Sequence, residues 1–146
     1  MNPRSTVSVA GHPVHAMLVP FVIAFYVGAF LSDIAYACVM DPFWARAALW
    51  LIGAGIVASA MAATIGLIDF IAEPAIRELR DAWWHLGANV LLSLVSILDG
   101  LLRYEVGAEA GSKGYIWLSG LSVLILLFSG WKGGQLVYRH GVGVKN

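Results

Sequence analysis

Four long apolar segments limit what this chain can fold into. They cover residues 13–39, 43–71, 82–104 and 115–138, and each reaches the roughly 20 apolar residues that a helix needs to cross a bilayer. Short polar or Gly-rich connections separate the first segment from the second and the third from the fourth. The sequence therefore predicts an all-α fold, in which residues 1–146 form one integral membrane domain, a four-helix up-down bundle.

The composition agrees with a lipid environment and argues against nucleic-acid binding. Apolar residues make up 60% of the chain and charged residues 12%, whereas soluble domains carry about 25% charged residues. Nine basic residues balance nine acidic ones, so the chain lacks the electrostatic footprint of a nucleic-acid-binding protein. The expected partner is the lipid bilayer.

The connection between the second and third spans differs from the other two. Pro74 ends the second span, because proline cannot continue a helix, and it suits the first turn of the next helix. Residues 75–83 contain no helix breaker, and Ile76, Leu79 and Trp83 recur at helical spacing. We therefore predict that the third helix starts near Pro74, outside the membrane.

The distribution of basic residues predicts the orientation in the membrane. An up-down bundle brings the N-terminus, the connection between spans two and three, and the C-terminus to one face, which we call the histidine face. That face has six basic residues, and the opposite face has three: Arg4, Arg77, Arg80, Lys132, Arg139 and Lys145 against Arg46, Arg103 and Lys113. The positive-inside rule then makes both termini cytoplasmic.

All four histidines are expected at the histidine face. His12 and His15 open the first span and, three residues apart, should share a helix face. His85 opens the third span, and His140 follows the fourth. Asp69 closes the second span. Alternating helix directions would gather these five residues at one end of the bundle.

Such a cluster is open to four interpretations. A b-type haem needs imidazoles on two helices, and His15 and His85, on diagonal helices, are the best pair. A transition-metal ion could instead be held by the set His12, His15, Asp69, His85 and His140, since imidazole suits Zn, Cu, Fe and Ni. A proton or quinol site would pair Asp69 with a histidine. A structural hydrogen-bonded plug without a cofactor is the remaining interpretation.

The opposite end of the bundle suggests a structural ion pair. Asp99 and Arg103 lie four residues apart and should pair on the third helix, with Asp33 placed to join them. Between the two polar ends the spans contain mostly aliphatic residues and a few serines, which argues against a channel. Rows of small residues, such as Gly55, Ser59 and Ala63, favour close helix packing or homodimerisation.

Three motifs resemble the bacterial membrane family called domain of unknown function 2231. They are Gly11-His12-Pro13-Val14-His15 followed by residues 18–25, Gly66-Leu67-Ile68-Asp69, and the closing stretch 133–144. The resemblance covers nearly the whole chain and implies a compact four-span domain without an established activity. Members of that family fused to Rieske-type iron–sulfur domains imply an electron-transfer setting. Where the family pattern has His-Phe-Pro-Ile-Ala, this chain has Pro20-Phe21-Val22-Ile23-Ala24, so a histidine that could serve as a ligand deeper in the first span is absent, which weakens the case for a many-histidine metal site.

The resulting hypothesis is a small inner-membrane redox or cofactor-binding component, with haem b or a transition-metal ion near the cytoplasmic leaflet. Its cofactor-binding candidates are His15, His85, His12 and His140. An electron-transfer protein or a second copy of the chain would be its partner. The alternative hypothesis is a structural or accessory membrane subunit with no cofactor.

Overall fold

The structure, a computed structural model, describes residues 2–3, 5–109 and 112–144, with the side chains of residues 112 and 113 excepted. Its helices are α1 (Val14–Val39), α2 (Pro42–Ala72), α3 (Pro74–Arg77), α4 (Arg80–Val106) and α5 (Ser112–Tyr138). Two short strands, β1 (Ser8–Val9) and β2 (His12–Pro13), form an antiparallel hairpin before α1. Four of the helices are long and apolar enough to cross a membrane, which confirms the all-α, four-span prediction.

The four long helices pack in sequence order around one core. α1 lies against α2, and α4 lies against α5, while α1 with α5 and α2 with α4 close the bundle. α1 and α4 are therefore diagonal, as the up-down arrangement predicts. Large apolar side chains such as Trp50 and Trp117 point outward, as expected for helices that face lipid, where packing rather than hydrophobicity joins the helices.

α4 and α5 meet along a heptad seam. Asn89 bonds Ser129 at one end of it, and Arg103 approaches the carbonyl of Tyr115 at the other. Asn89 and Arg103 are 14 residues apart, as are Tyr115 and Ser129. Because the helices run antiparallel, Ser96, midway along the first stretch, lies level with Ser122, midway along the second. The residues on the inward face of α4 are spaced alternately by four and three: His85, Asn89, Leu92, Ser96, Asp99 and Arg103.

The α1–α2 turn is built by three consecutive residues. Met40 adopts a left-handed conformation with φ 55°, and its N–H bonds the carbonyl of Tyr36. The carboxylate of Asp41 accepts from the N–H of Phe43, and Pro42 occupies the first turn of α2. An aspartate N-cap followed by proline suits a helix start, because the proline lacks the N–H that would be unsatisfied there.

The prediction of a continuous third helix from Pro74 is wrong. α3 ends after one turn, and Leu79 is extended, with φ −84° and ψ 119°, before α4 begins. The guanidinium of Arg77 bonds the carbonyls of Phe70 and Ile71 at the end of α2. The indole N–H of Trp83 in turn donates to the carbonyl of Arg77, 2.9 Å away. These local bonds stabilise an interruption that helical spacing in the sequence does not reveal.

Candidate functional site

His15 and His85 face each other inside the bundle near the histidine face. Their ring centroids are 6.0 Å apart, and the ring planes are nearly perpendicular, at 86°. His15 belongs to the first turn of α1, and His85 lies in the second turn of α4. The contact therefore joins the two diagonal helices across the centre of the bundle.

Each imidazole is held by the helix beside its own. His15 Nδ1 lies 2.8 Å from the carbonyl oxygen of Ala62 on α2, and His85 Nδ1 lies 2.9 Å from that of Ser129 on α5. A carbonyl oxygen only accepts hydrogen bonds, so each Nδ1 carries the proton and each Nε2 keeps a lone pair in the neutral ring. The bonds also fix the orientation of both rings.

Asn89 lies beside the Nε2 lone pair of His85. Its amide nitrogen is 3.2 Å from His85 Nε2 but only 2.8 Å from both the carbonyl oxygen of His85 and the hydroxyl of Ser129. An amide NH₂ has two hydrogens, and the two shorter contacts can use both. The contact with His85 Nε2 is the longest of the three, so a ligand at this lone pair would compete with Asn89 only for the weakest of its bonds.

Two glycines make room for the imidazoles. A Cβ added at Gly66 would lie 2.9 Å from His15 Nδ1, and one added at Gly133 would lie 3.1 Å from His85 Cε1. The helix backbones of α2 and α5 thus contact the rings directly, and the imidazoles fill the space that the glycines leave. A haem macrocycle between the rings would have to separate α1 and α4, the helices that carry them.

His12 lies outside this pair. It belongs to strand β2, is exposed, and its Nδ1 lies 3.1 Å from the carbonyl oxygen of Ala10. The expectation that His12 and His15 share a helix face is wrong, because Pro13 is the extended N-cap of α1 and the hairpin turns His12 away. Ala10 and Gly11, with φ 49° and 82°, are the two left-handed residues of this two-residue turn.

Asp69 binds the N-terminal segment and not a histidine. Its carboxylate accepts hydrogen bonds from the hydroxyl of Ser5 at 2.8 Å and from the N–H groups of Thr6 and Val7 at 2.6 and 3.1 Å. Only 8% of the residue is exposed, so these donors replace the water that a carboxylate needs. Asp69 thus fastens residues 5–7 across the end of the bundle.

His140 pairs with a different acid. Its Nε2 lies 2.9 Å from one carboxylate oxygen of Asp81, and Lys132 Nζ lies 2.8 Å from the other. The five residues expected at one site are therefore divided among four places, and only His15 and His85 meet. In the part of the chain that the structure describes, no three His, Cys, Asp or Glu side chains form a metal-binding group.

The ion pair expected at the opposite end is present and includes Asp33. The guanidinium of Arg103 donates to both carboxylate oxygens of Asp33 at 2.8 and 2.7 Å and to those of Asp99 at 2.8 and 3.1 Å. Ser119 adds a bond of 2.6 Å to Asp33. The side chain of Arg103 is fully buried, so this cluster joins α1, α4 and α5 away from water.

A group of buried hydroxyls between the two ends was missed in the sequence. Tyr26 donates to Ser96 at 3.0 Å and accepts from Ser59 at 3.1 Å, which links α1, α4 and α2. Ser122, level with Ser96, is also fully buried, and its hydroxyl has no hydrogen-bond partner among the described residues. The heptad spacing of polar residues along α4 is the signal that could have revealed this interior.

The fold and the composition define a multi-pass α-helical membrane protein. The family model described as "Predicted membrane protein (DUF2231)" matches residues 11–146. The chain therefore belongs to this family, as the motifs in its sequence predicted. No curated protein and no solved structure matches the chain.

Proposed function

We propose that the chain is a membrane metal-binding protein that holds one transition-metal ion between His15 Nε2 and His85 Nε2. The observation that carries the proposal is the pair of bonds from Nδ1 to backbone carbonyls. Metal-binding histidines commonly donate their other ring N–H to such an oxygen, which orients the ring and raises its basicity. A neutral, oriented imidazole whose Nε2 keeps its lone pair is a good ligand.

The separation of the rings supports a bridging ion. A metal bonded to two imidazole nitrogens at about 2.0–2.1 Å each puts the two ring centroids roughly 6 Å apart. The observed centroid distance is 6.0 Å. Edge contacts between aromatic rings cover about 4.5–7 Å, so the distance allows the ion without requiring it.

The surroundings favour copper in its +1 state. Imidazole binds copper, zinc, iron and nickel, and two of the acids near this end, Asp69 and Asp81, already bind other groups. Moving an ion out of water has a cost that rises steeply with its charge, so two neutral ligands accept a monovalent ion more readily than a divalent one. Copper would exchange single electrons with a redox partner, although burial favours its reduced state.

Metal analysis of protein without a polyhistidine tag tests this proposal. We expect about one copper ion per chain after copper-supplemented expression, with the X-ray absorption edge of reduced copper. His15→Ala and His85→Ala should each lose the ion. His12→Ala and His140→Ala are matched controls and should keep it, because neither histidine belongs to the pair.

Other outcomes distinguish the remaining hypotheses. A Soret band that His15→Ala and His85→Ala remove would identify haem and refute the single ion. Stoichiometric zinc would keep the site and refute the redox role. Wild-type protein with neither haem nor metal after supplementation would favour a structural or accessory subunit.

The proposed orientation places the histidine face in the cytoplasm of a bacterial cell, with the chain in the inner membrane. Arg4 and Lys145, and the side chain of Lys113, lie outside the described residues. Arg103 is buried in its ion cluster, which leaves Arg46 as the surface cation described on the opposite face. Reporter fusions after the C-terminus and in the 107–111 connection should give cytoplasmic and external signals respectively, and the reverse pattern would refute this orientation.

A further inference from the structure

A basic groove lies on the histidine face, apart from the His15–His85 pair. It has a volume of about 530 Å³ and lies where the start of α4 meets the end of α5. Its charged lining residues are Glu78, Arg80, Asp81, Lys132, Arg139 and His140. Three permanent cations face two acids here, so the groove has an excess of positive charge even with His140 neutral.

The two acids do not form ion pairs with all three cations. Asp81 is bound on both oxygens, by Lys132 and His140. Arg80 and Arg139 are exposed, and within the described residues neither guanidinium has a hydrogen bond or an ion pair. Guanidinium groups offer paired donors that match the geometry of phosphate oxygens. The groove is therefore suited to bind an anion that carries a phosphate group.

An aromatic ladder leads from this groove along the lipid-facing side of α4 and α5. Trp84, which lines the groove, contacts Phe128 with ring centroids 6.3 Å apart, and Phe128 contacts Trp131 at 6.2 Å. Trp84 and Trp131 are both more than half exposed. Lys132 Nζ lies 4.6 Å from the centroid of the Trp131 ring, so the ladder and the basic groove are continuous.

We infer that this groove binds the phosphate of an anionic phospholipid, whose acyl chain lies along the Trp84–Phe128–Trp131 ladder. Free phosphate has the same charged oxygens as the headgroup, but it has no acyl chain to contact the aromatic ladder. Basic pockets between membrane helices on the cytoplasmic side are known to bind anionic headgroups. Tryptophan side chains favour the membrane interface, which is where a headgroup and the start of its acyl chain would lie.

Native mass spectrometry of the delipidated full chain tests the headgroup. Phosphatidylglycerol should bind at least about tenfold more tightly than phosphatidylcholine. The double variant Arg80→Gln/Arg139→Gln should weaken phosphatidylglycerol binding about thirtyfold, at about 1 kcal/mol for each cation lost. Arg46→Gln, on the opposite face, should leave the binding unchanged. Equal binding of the two lipids, or an equal effect of Arg46→Gln, would overturn the inference.

Two further measurements separate a lipid from free phosphate. Phosphatidylglycerol with brominated acyl chains should quench tryptophan emission more strongly in the wild type than in Trp84→Phe/Trp131→Phe, and equal quenching would overturn the position of the chain. Inorganic phosphate at the lipid's concentration should not displace the lipid, and displacement would assign the groove to free phosphate. Neither result depends on the metal site, since the groove excludes His15 and His85.

Discussion

Replacing Arg103 by methionine should be among the most damaging single substitutions in this protein. The guanidinium makes four hydrogen bonds of 2.7–3.1 Å to two carboxylates, and the side chains of Asp33 and Asp99 are only 4% and 0% exposed. Arg103→Met would leave both carboxylates buried without a cation. Removing one partner of a buried ion pair costs about 3–5 kcal/mol. Because this variant leaves two buried carboxylates without a cation, we expect a loss at the upper end of that range.

The assay is reversible unfolding of the purified chain in mixed micelles, followed by tryptophan fluorescence. Arg46→Met is the matched control, because its contact with Glu109 is long, at 3.6 Å, and the two side chains are 61% and 50% exposed. Such surface pairs contribute under about 1 kcal/mol. A free energy of unfolding for Arg103→Met no lower than that of Arg46→Met would refute the reasoning.

A triple variant separates two contributions to this loss of stability: the missing ion pairs and the burial of uncompensated negative charge. Arg103→Met combined with Asp33→Asn and Asp99→Asn removes every charge of the cluster, and neutral replacements of buried ion pairs are often tolerated. We expect it to recover most of the stability that Arg103→Met loses. Equal stability of the triple and single variants would mean that lost packing, not uncompensated charge, dominates.

Three smaller perturbations test other contacts in the same unfolding assay or by hydrogen exchange. Ser119→Ala should cost about 1–3 kcal/mol, because its hydroxyl donates to a buried carboxylate; Ser122→Ala should cost nothing, and an equal loss would show that its hydroxyl binds water. Gly66→Ala should cost about 1–3 kcal/mol by forcing the imidazole of His15 to move. Gly87 has open space around it, so Gly87→Ala should be neutral or stabilising. Equal effects of the two substitutions would refute the close contact between Gly66 and His15. Asp69→Asn should speed amide exchange at residues 6 and 7, and unchanged exchange would show that the carboxylate does not hold that segment.

Helix number and packing order could be predicted because they depend on features that every segment repeats. Length and apolar composition identify the spans, and short connections make successive spans antiparallel neighbours. The approach of His15 to His85 follows from the same logic, since both lie near the same ends of diagonal helices. The ion cluster could also be predicted, because Asp99 and Arg103 are one helical turn apart and Asp33 lies at a matching depth.

The partners of the other site candidates could not be predicted because they are set by irregular backbone. Asp69 accepts from N–H groups of a segment without regular structure, and no side-chain pattern reports which backbone groups are free. His12 is displaced by a two-residue strand. His140 follows α5 and meets Asp81 in the first turn of α4, and no spacing in the sequence connects these two residues.

The two ends of the bundle differ in how firmly they join its halves, α1–α2 and α4–α5. At the Arg103 end, charged hydrogen bonds connect α1 directly to α4. At the histidine end each imidazole is bonded within its own half, to Ala62 and to Ser129, and among the described residues no hydrogen bond joins His15 to His85. A ligand between the rings therefore breaks no bond between the halves. The segment before α1 and the residues after α5 still join the halves at this end, because the N–H of Gly143 donates to the carbonyl of Pro3 at 2.9 Å. An ion between the rings would therefore have to fit without opening this end of the bundle.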